Sequence, residues 1–170
     1  MSSTSPSRSL CRRADVARPS SRWRPPRALT DIGFKVLNEA HRATLRLSGG
    51  RIGRTGYGMT VVELRTVGRK TGQTRVTMLT SPIHDENRVL LVASKYGDDR
   101  NPQWYGNLTA NPDVEILIDG QRRELRARTA SADERKELWA QILQVYKGYG
   151  GYQEKTGREI PVVICEPRPA

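Results

Sequence analysis

Thr60-Val61-Val62-Glu63-Leu64-Arg65-Thr66-Val67, Gly68-Arg69-Lys70-Thr71-Gly72-Gln73-Thr74-Arg75, Val76-Thr77-Met78-Leu79-Thr80-Ser81: two runs of β-branched and apolar residues enclose a short, basic, glycine-bracketed segment. The runs read as strands, the first carrying Val62, Leu64 and Thr66 on one face, and the segment between them reads as a turn. Three cations, two hydroxyls and two glycines in eight residues suit a bound anion. The glycines let backbone approach a ligand closely, and the cations, amides and hydroxyls can satisfy phosphate oxygens at short range. A P-loop is excluded. That motif needs glycine directly before Lys-Ser/Thr and a helix afterwards, whereas Arg69 precedes Lys70 and a strand follows. Taken by itself, the segment also reads as a solvated turn with incidental charge.

Outward from this pair, the chain carries short elements separated by turn signals. Upstream, Thr30 or Asp31 caps an expected helix with Phe34, Leu37, Ala40, His41, Thr44 and Leu47 along one stripe, ended by Ser48-Gly49-Gly50 and followed by a glycine-rich link to Gly58. Downstream, His84-Asp85-Glu86-Asn87 reads as a polar hairpin loop, and Val89 to Ser94 as a strand covered on both faces. A short helix is expected over Pro102 to Ala110, with Asn101 as its cap. Val114 to Ile118 and Arg122 to Arg128 read as strands joined through Asp119-Gly120, and Arg122, Glu124, Arg126 and Arg128 share one face. Ser131-Ala132-Asp133-Glu134 is a capping box opening a helix with Leu138, Trp139, Ile142, Leu143 and Tyr146 inward. A Gly/Tyr segment and a strand over Ile160 to Cys165 follow. About six strands with three helices, and no strand-helix-strand alternation, indicate an α+β fold: an antiparallel barrel rather than a doubly wound sheet.

The chain has 170 residues, one domain's worth, and a formal net charge of +11. Residues 1–28 hold seven arginines against one aspartate, and so six of the eleven net charges. This Ser/Arg/Pro-rich stretch has too few apolar residues to offset its ordering entropy, so it is expected to be a disordered basic tail before a domain spanning 29–170. It lacks the apolar run of a secretory signal; a transit-like segment, an over-called translation start and a basic arm for anionic lipid or nucleic acid remain open readings. No stretch has the roughly 18 apolar residues of a membrane span. Cys11 and Cys165 form neither a disulfide framework nor a metal spacing, which points to a reducing, cytoplasmic setting.

Only two histidines are present, His41 and His84, so a metal site or a histidine-based triad has little to build on. No carboxylate pair lies in an apolar setting, which leaves hydrolase chemistry poorly supported. What remains is spread over several connections. Ser94-Lys95 ends an apolar strand, and Asn101-Pro102-Gln103-Trp104-Tyr105 follows a polar loop. If these strand ends meet the turn at Arg69, cations, backbone donors and an aromatic wall combine as a phosphorylated ring cofactor requires. For Trp104, core packing is the competing reading.

In this order, Thr66 to Gln73, Val92 to Lys95, Asn101 to Leu108, Ala110-Asn111-Pro112 and Ile160-Pro161-Val162-Val163 resemble the deazaflavin-dependent nitroreductase family, over roughly Leu29 to Pro167. The resemblance implies a split β-barrel that binds coenzyme F420 and acts as a quinone reductase or nitroreductase. Carried over residue by residue, it implies cofactor contacts from Arg69, Lys70 and Thr71; from Arg75, Val76, Thr77, Met78, Leu79 and Thr80; from Val92, Ala93, Ser94 and Lys95; and from Gln103, Trp104, Tyr105, Gly106 and Asn107. Lys70, Arg75 and Lys95 would neutralise the phosphate and glutamate tail, while backbone of Met78 to Thr80 and Val92 to Ser94 would meet the polar edge of the ring. Thr80 departs from members with an aromatic residue there, which puts ring stacking at that position in doubt.

Tyr146, Tyr149 and Tyr152 recur every three residues among Gly148, Gly150 and Gly151. Read from the residues, they are anchors at a helix end that unwinds through glycines. The resemblance places them over the cofactor's exposed face, forming the acceptor's pocket with Trp104, where a phenol can orient an oxygen or donate a proton. The resulting expectation is hydride transfer from reduced F420 to a quinone-like, nitroaromatic or other conjugated small molecule. An FMN-binding split barrel, a non-enzymatic cofactor carrier and a basic binding module stay open as alternatives. A homodimer and peripheral contact with anionic membrane are compatible partners; specific nucleic-acid binding is not expected, because the tail's cations are not interleaved with aromatics apart from Trp23.

Overall fold

A computed structural model describes residues 55–168 and, upstream of them, Val36 alone, which is helical. The basic tail, the remainder of the first expected helix, His41 and Cys11 lie outside the described residues. Among those described, no helix is long and apolar enough to cross a membrane.

The strands are β1 (Thr55–Gly56), β2 (Met59–Val67), β3 (Thr74–Ser81), β4 (Val89–Val92), β5 (Asp113–Ile118), β6 (Gln121–Thr129) and β7 (Val162–Pro167). Three helices, α1 (Gln103–Ala110), α2 (Ala132–Val145) and α3 (Gly148–Glu154), and a 3-10 turn at Lys95–Gly97 connect them. Every strand pairing is antiparallel, in the order β1-β2-β5-β6-β7-β4 with β3 added to β2. The sheet curls into the half-barrel of a split-barrel fold, as the α+β reading anticipates.

Period-two patterning explains the curl and its two cores. Val62 and Leu64 of β2, Val114, Ile116 and Ile118 of β5, and Leu125 and Ala127 of β6 point into one cluster, with Trp104 and Leu108 of α1. On β4 the alternation divides a wholly apolar run. Val89 and Leu91 enter that first cluster, while Leu90 and Val92 enter a second with Leu138 and Ile142 of α2 and Tyr149 of α3. β7 divides likewise, with Val163 and Cys165 on the first side and Val162 and Ile164 on the second. A β4–β7 pair covered on both faces therefore separates a barrel core from a helix-side core.

Several local expectations are corrected. The loop at His84 to Asn87 closes tightly, with Asp85 N–H donating to the Arg88 carbonyl at 2.9 Å and a single bridge from His84 to Val89. It nevertheless opens no hairpin ladder, because β4 crosses to pair with β7 in register Val89↔Cys165 to Val92↔Val162. The buried Ser81 hydroxyl fastens the crossing by donating to the carbonyls of Ile83 and Leu90, each at 2.9 Å. Helix α1 is capped by Pro102 with no side-chain hydrogen bond, so Asn101 is not its cap. The Gly/Tyr segment does not unwind: it forms α3. β3 begins at Thr74, which takes Arg75 out of the turn, and the last strand runs from Val162 to Pro167 rather than from Ile160. The capping box at Ser131 and Glu134 forms in both directions.

Candidate active site

The basic turn is built mostly from its own backbone. Gly68 N–H donates to the Gln73 carbonyl at 2.8 Å, and the Gly68 carbonyl accepts from Gly72 N–H at 2.8 Å and Thr71 N–H at 3.2 Å. Thr71 Oγ1 accepts from the Arg75 guanidinium at 3.4 Å, which draws the strand's first cation back over the turn. Arg69, Lys70, Thr71 and Arg75 are all exposed. None of the ion pairs found among the described residues involves Arg69, Lys70 or Arg75, so their charge is not neutralised by a described carboxylate.

The turn is tied to α1 by the buried Asn107. Its Oδ1 accepts from Arg69 N–H at 3.3 Å, and its Nδ2 donates to Thr66 Oγ1, also at 3.3 Å. The Arg69 guanidinium lies across Gly106, in the space that a β-carbon there would occupy. Gly106 thus leaves the space in which the guanidinium rests, and four of the expected positions, Thr71, Arg69, Gly106 and Asn107, come together. Gln103 is exposed at the start of α1, and Tyr105 Oη lies 3.0 Å from Thr129 Oγ1. Trp104 is a correction: only 6% exposed, its indole belongs to the barrel core and meets Tyr105 edge-on, so its side chain is no wall of the tyrosine pocket.

β3 pairs with β2 on one side and has no strand on the other among the described residues. Alternate peptide groups of an antiparallel edge strand point away from its neighbour, so backbone from Val76 to Thr80 faces outward. The side chains of Val76, Thr77, Met78, Leu79 and Thr80 are all half-buried.

Facing that strand is a phenol cluster. Tyr149 Oη lies 3.4 Å from Thr80 Oγ1, a hydrogen bond in which either hydroxyl donates. The ring of Tyr149 meets those of Tyr146 at 5.4 Å and Tyr152 at 6.1 Å, both edge-to-face. Two tyrosines not anticipated from sequence complete the group: Tyr57 packs on Tyr146 at 5.2 Å, and Tyr96 on Tyr152 at 5.6 Å. Tyr149 is buried, whereas Tyr57 and Tyr96 are exposed at the rim. Burial pushes the phenols of Tyr149, Tyr152 and Tyr96 above the usual tyrosine value; for Tyr152 a hydrogen bond with Tyr146 adds to it. Near neutral pH these hydroxyls are therefore protonated donors.

Beyond β4, the chain takes a left-handed path through Lys95 (φ 45°), Tyr96 (φ 57°) and Gly97 (φ 85°). For the two side-chain-bearing residues this conformation is unfavourable and must be held by its surroundings. Lys95 Nζ lies 3.6 Å from Asp98 Oδ2, and the Asp98 carboxyl is held down to about 2, chiefly by the hydrogen bond from Arg100. The carbonyls of Ala93 and Ser94, expected to face a cofactor, each accept from Arg158 Nη2 at 3.0 Å. Val92 is engaged in the ladder with Val162, and Ala93 N–H donates to the Pro161 carbonyl. Arg158 stands alone between Gly157 and Glu159, with no spacing that would have signalled it.

Exposed cations beside a strand with β2 as its only strand partner among the described residues, facing a protonated phenol cluster, suit a polyanionic cofactor with a planar reacting ring and a small acceptor above it. Residues 37–167 match the family described as F420H(2)-dependent quinone reductase. The chain belongs to that family. Coenzyme F420, rather than FMN, is accordingly its cofactor, and the protein is a deazaflavin-dependent oxidoreductase. The F420H(2)-dependent quinone reductase Rv1261c of Mycobacterium tuberculosis is 40% identical over 142 residues, 81% of this chain and 93% of its own length. A solved F420-H2 dependent reductase, FDR-A, superposes with a TM-score of 0.57 at 36% identity, covering 62% of this chain and 93% of that one. A further solved structure, described as a domain-swapped dimer, gives 0.58 at 32% identity, with 74% of this chain and 98% of that one covered. The residues present fit such a cofactor: exposed cations with no carboxylate partner among the described residues, and Gly106, which leaves room for the Arg69 guanidinium.

Proposed function

We propose that the protein reduces quinone-like acceptors, and by the same chemistry nitroaromatic or other conjugated small molecules, at the tyrosine cluster. The contact between Thr80 and Tyr149 carries this reading, because it joins the strand edge available to the cofactor to the phenols available to the acceptor. When bound, reduced coenzyme F420 supplies the hydride. Arg69, Lys70 and Arg75 hold its anionic portion, outward backbone of Val76 to Thr80 meets the ring's polar edge, and Ser94, Lys95 and the α1 end from Gln103 to Asn107 border it.

Tyr149, Tyr146 and Tyr152 orient the acceptor and exclude water from its reacting face. The raised proton affinity of Tyr149 and Tyr152 keeps their hydroxyls donors, so a phenol can stabilise or protonate an acceptor oxygen as negative charge develops on it. Where some members of the family carry an aromatic residue, Thr80 leaves a smaller side chain whose hydroxyl meets Tyr149, which supports a roomier pocket. A homodimer, a cytoplasmic setting and peripheral contact of the arginine-rich residues 1–28 with anionic membrane belong to the same reading.

Mixing the protein with reduced F420 and a small quinone tests it through cofactor reoxidation. Rapid quinone-dependent reoxidation is expected, and Tyr149→Phe should lower turnover several-fold while cofactor affinity stays within about twofold, as for loss of one hydroxyl worth roughly 1 kcal/mol. No reoxidation with quinones, nitroaromatics and enones alike would leave a cofactor-carrying protein as the better description.

A further inference from the structure

The Arg158 guanidinium makes four hydrogen bonds to oxygens of one short stretch, residues 93–101. Its Nη2 donates to the Ala93 and Ser94 carbonyls at 3.0 Å each, its Nε to the Asp98 carbonyl at 2.9 Å and to no side chain, and its Nη1 to Asn101 Oδ1 at 2.8 Å; its own N–H donates to Thr156 Oγ1 at 3.4 Å. Four side-chain bonds to neutral acceptors use the planar fork of guanidinium in a way that lysine cannot reproduce.

The other end of this residue is held by the tyrosine helix. Gln153, next to Tyr152 on α3, donates from Nε2 to the Arg158 carbonyl at 2.7 Å. Gln153 Oε1 accepts from Ile160 N–H at 2.9 Å and from Arg135 Nη2 at 3.1 Å, and Arg135 stacks over Trp139 of α2 at 4.5 Å. Two further contacts span the same gap. The buried Thr156 donates to Asp99 Oδ1 at 3.0 Å, and Gly97 packs against the Tyr152 carbonyl so closely that no side chain would fit. A continuous brace therefore runs from α2 through Gln153 and Arg158 to the exit of β4, and it encloses the left-handed turn that carries Lys95 and Tyr96.

We propose that Arg158 is a positioning residue that locks the cofactor-side strand exit, Ala93 to Lys95, to the acceptor-side tyrosine helix, so that the two halves of the site keep one spacing. This rests on the assignment of those halves given above. Hydride transfer demands reacting atoms about 3–3.5 Å apart, and a displacement near 1 Å is costly. A residue that merely holds the fold would affect the folded fraction; one that sets the spacing must affect both ligands.

The test is Arg158→Lys, which keeps the charge and removes the fork, measured against the wild type by fluorescence titration of F420 and by steady-state kinetics with a quinone. Expected are a weakening of F420 binding by about 5–10-fold, a rise of similar size in the quinone KM, and a larger fall in kcat. Asn101→Ala removes one arm at an exposed position and should shift both constants in the same direction by about twofold, which keeps the inference testable if Arg158→Lys folds poorly. Both constants unchanged, or only one of them moved, would overturn it, whatever happens to thermal stability. Wild-type protein that binds no F420 would instead overturn the functional assignment on which it rests.

Discussion

The basic turn and the tyrosine cluster are built in opposite ways. The turn from Gly68 to Gln73, with Arg75 just beyond it on β3, is contiguous in sequence, exposed except at Gly68, and held mostly by hydrogen bonds among its own residues, with Asn107 as its tie to the rest of the domain. The cluster draws Tyr57 from the β1–β2 connection, Thr80 from β3, Tyr96 from beyond β4, and three tyrosines from around α3. A local turn can be altered without disturbing a core, so its substitutions should separate binding from stability. A cluster whose central ring belongs to the helix-side core cannot be separated so cleanly, and its substitutions should couple turnover to folding.

The largest expected effect probes the turn. Neutralising Lys70 and Arg75 together (Lys70→Ala with Arg75→Ala) should weaken F420 binding by roughly 100-fold or more, because each charge-assisted contact contributes about 1.5–3 kcal/mol. The melting temperature should move little, since both side chains are exposed. Equal loss of affinity and stability, or loss of neither, would break the contrast. A smaller effect is expected for Gly106→Ala. An added methyl group would displace the Arg69 guanidinium from its resting place, lowering F420 affinity about 3–10-fold, while alanine in the middle of α1 should stabilise the helix by roughly 0.5–1 kcal/mol. Titration and thermal melting should therefore move in opposite directions. A loss of stability with unchanged affinity would place Gly106 among packing residues alone.

The smallest effect concerns pH at the cluster. The phenols of Tyr149, Tyr152 and Tyr96 are raised above their ordinary value of 10.0. A group whose pKa is higher folded than unfolded adds stability that is complete below the unfolded value and is lost as pH rises through the folded one. Melting temperature should consequently show no tyrosine-linked change between about pH 7 and 9 and fall above about pH 10. Phenolate absorbance appearing in the native protein well below pH 10 would show that the cluster is wetter than its packing implies.

What could be read in advance follows the same division. The strand runs at Thr60 to Val67 and Val114 to Ile118 were legible because a sheet with one buried face imposes strict alternation, and Asp119-Gly120 because both residues adopt the positive φ of a tight hairpin turn. The Ser131–Glu134 capping box was legible because it is a local exchange of two hydrogen bonds. Less was visible where partners are distant in sequence. Val89 to Val92 announced burial on both faces but not its pairing with β7, and Trp104 reads identically as a pocket wall or as core until the helix carrying it is placed. Glycine spacing suggested an unwound segment at Gly148 to Gly151, yet packing against α2 and the 95–97 turn outweighs glycine's low helix propensity there.

By itself, the amino-acid sequence determined the antiparallel α+β character of the domain, the concentration of cations and glycines from Gly68 to Arg75, and, through the order of its motifs, the family. These depend on residue type and spacing over a few neighbouring positions, where stereochemistry leaves few choices. Tertiary structure alone decided that five tyrosines meet in one cluster, that Thr80 touches Tyr149, and that Arg158 bridges the exit of β4 to α3. Such contacts are set by the curl of the sheet and the packing of helices against it, and side chains as far apart in sequence as Tyr57 and Tyr146 become neighbours only once that packing is complete.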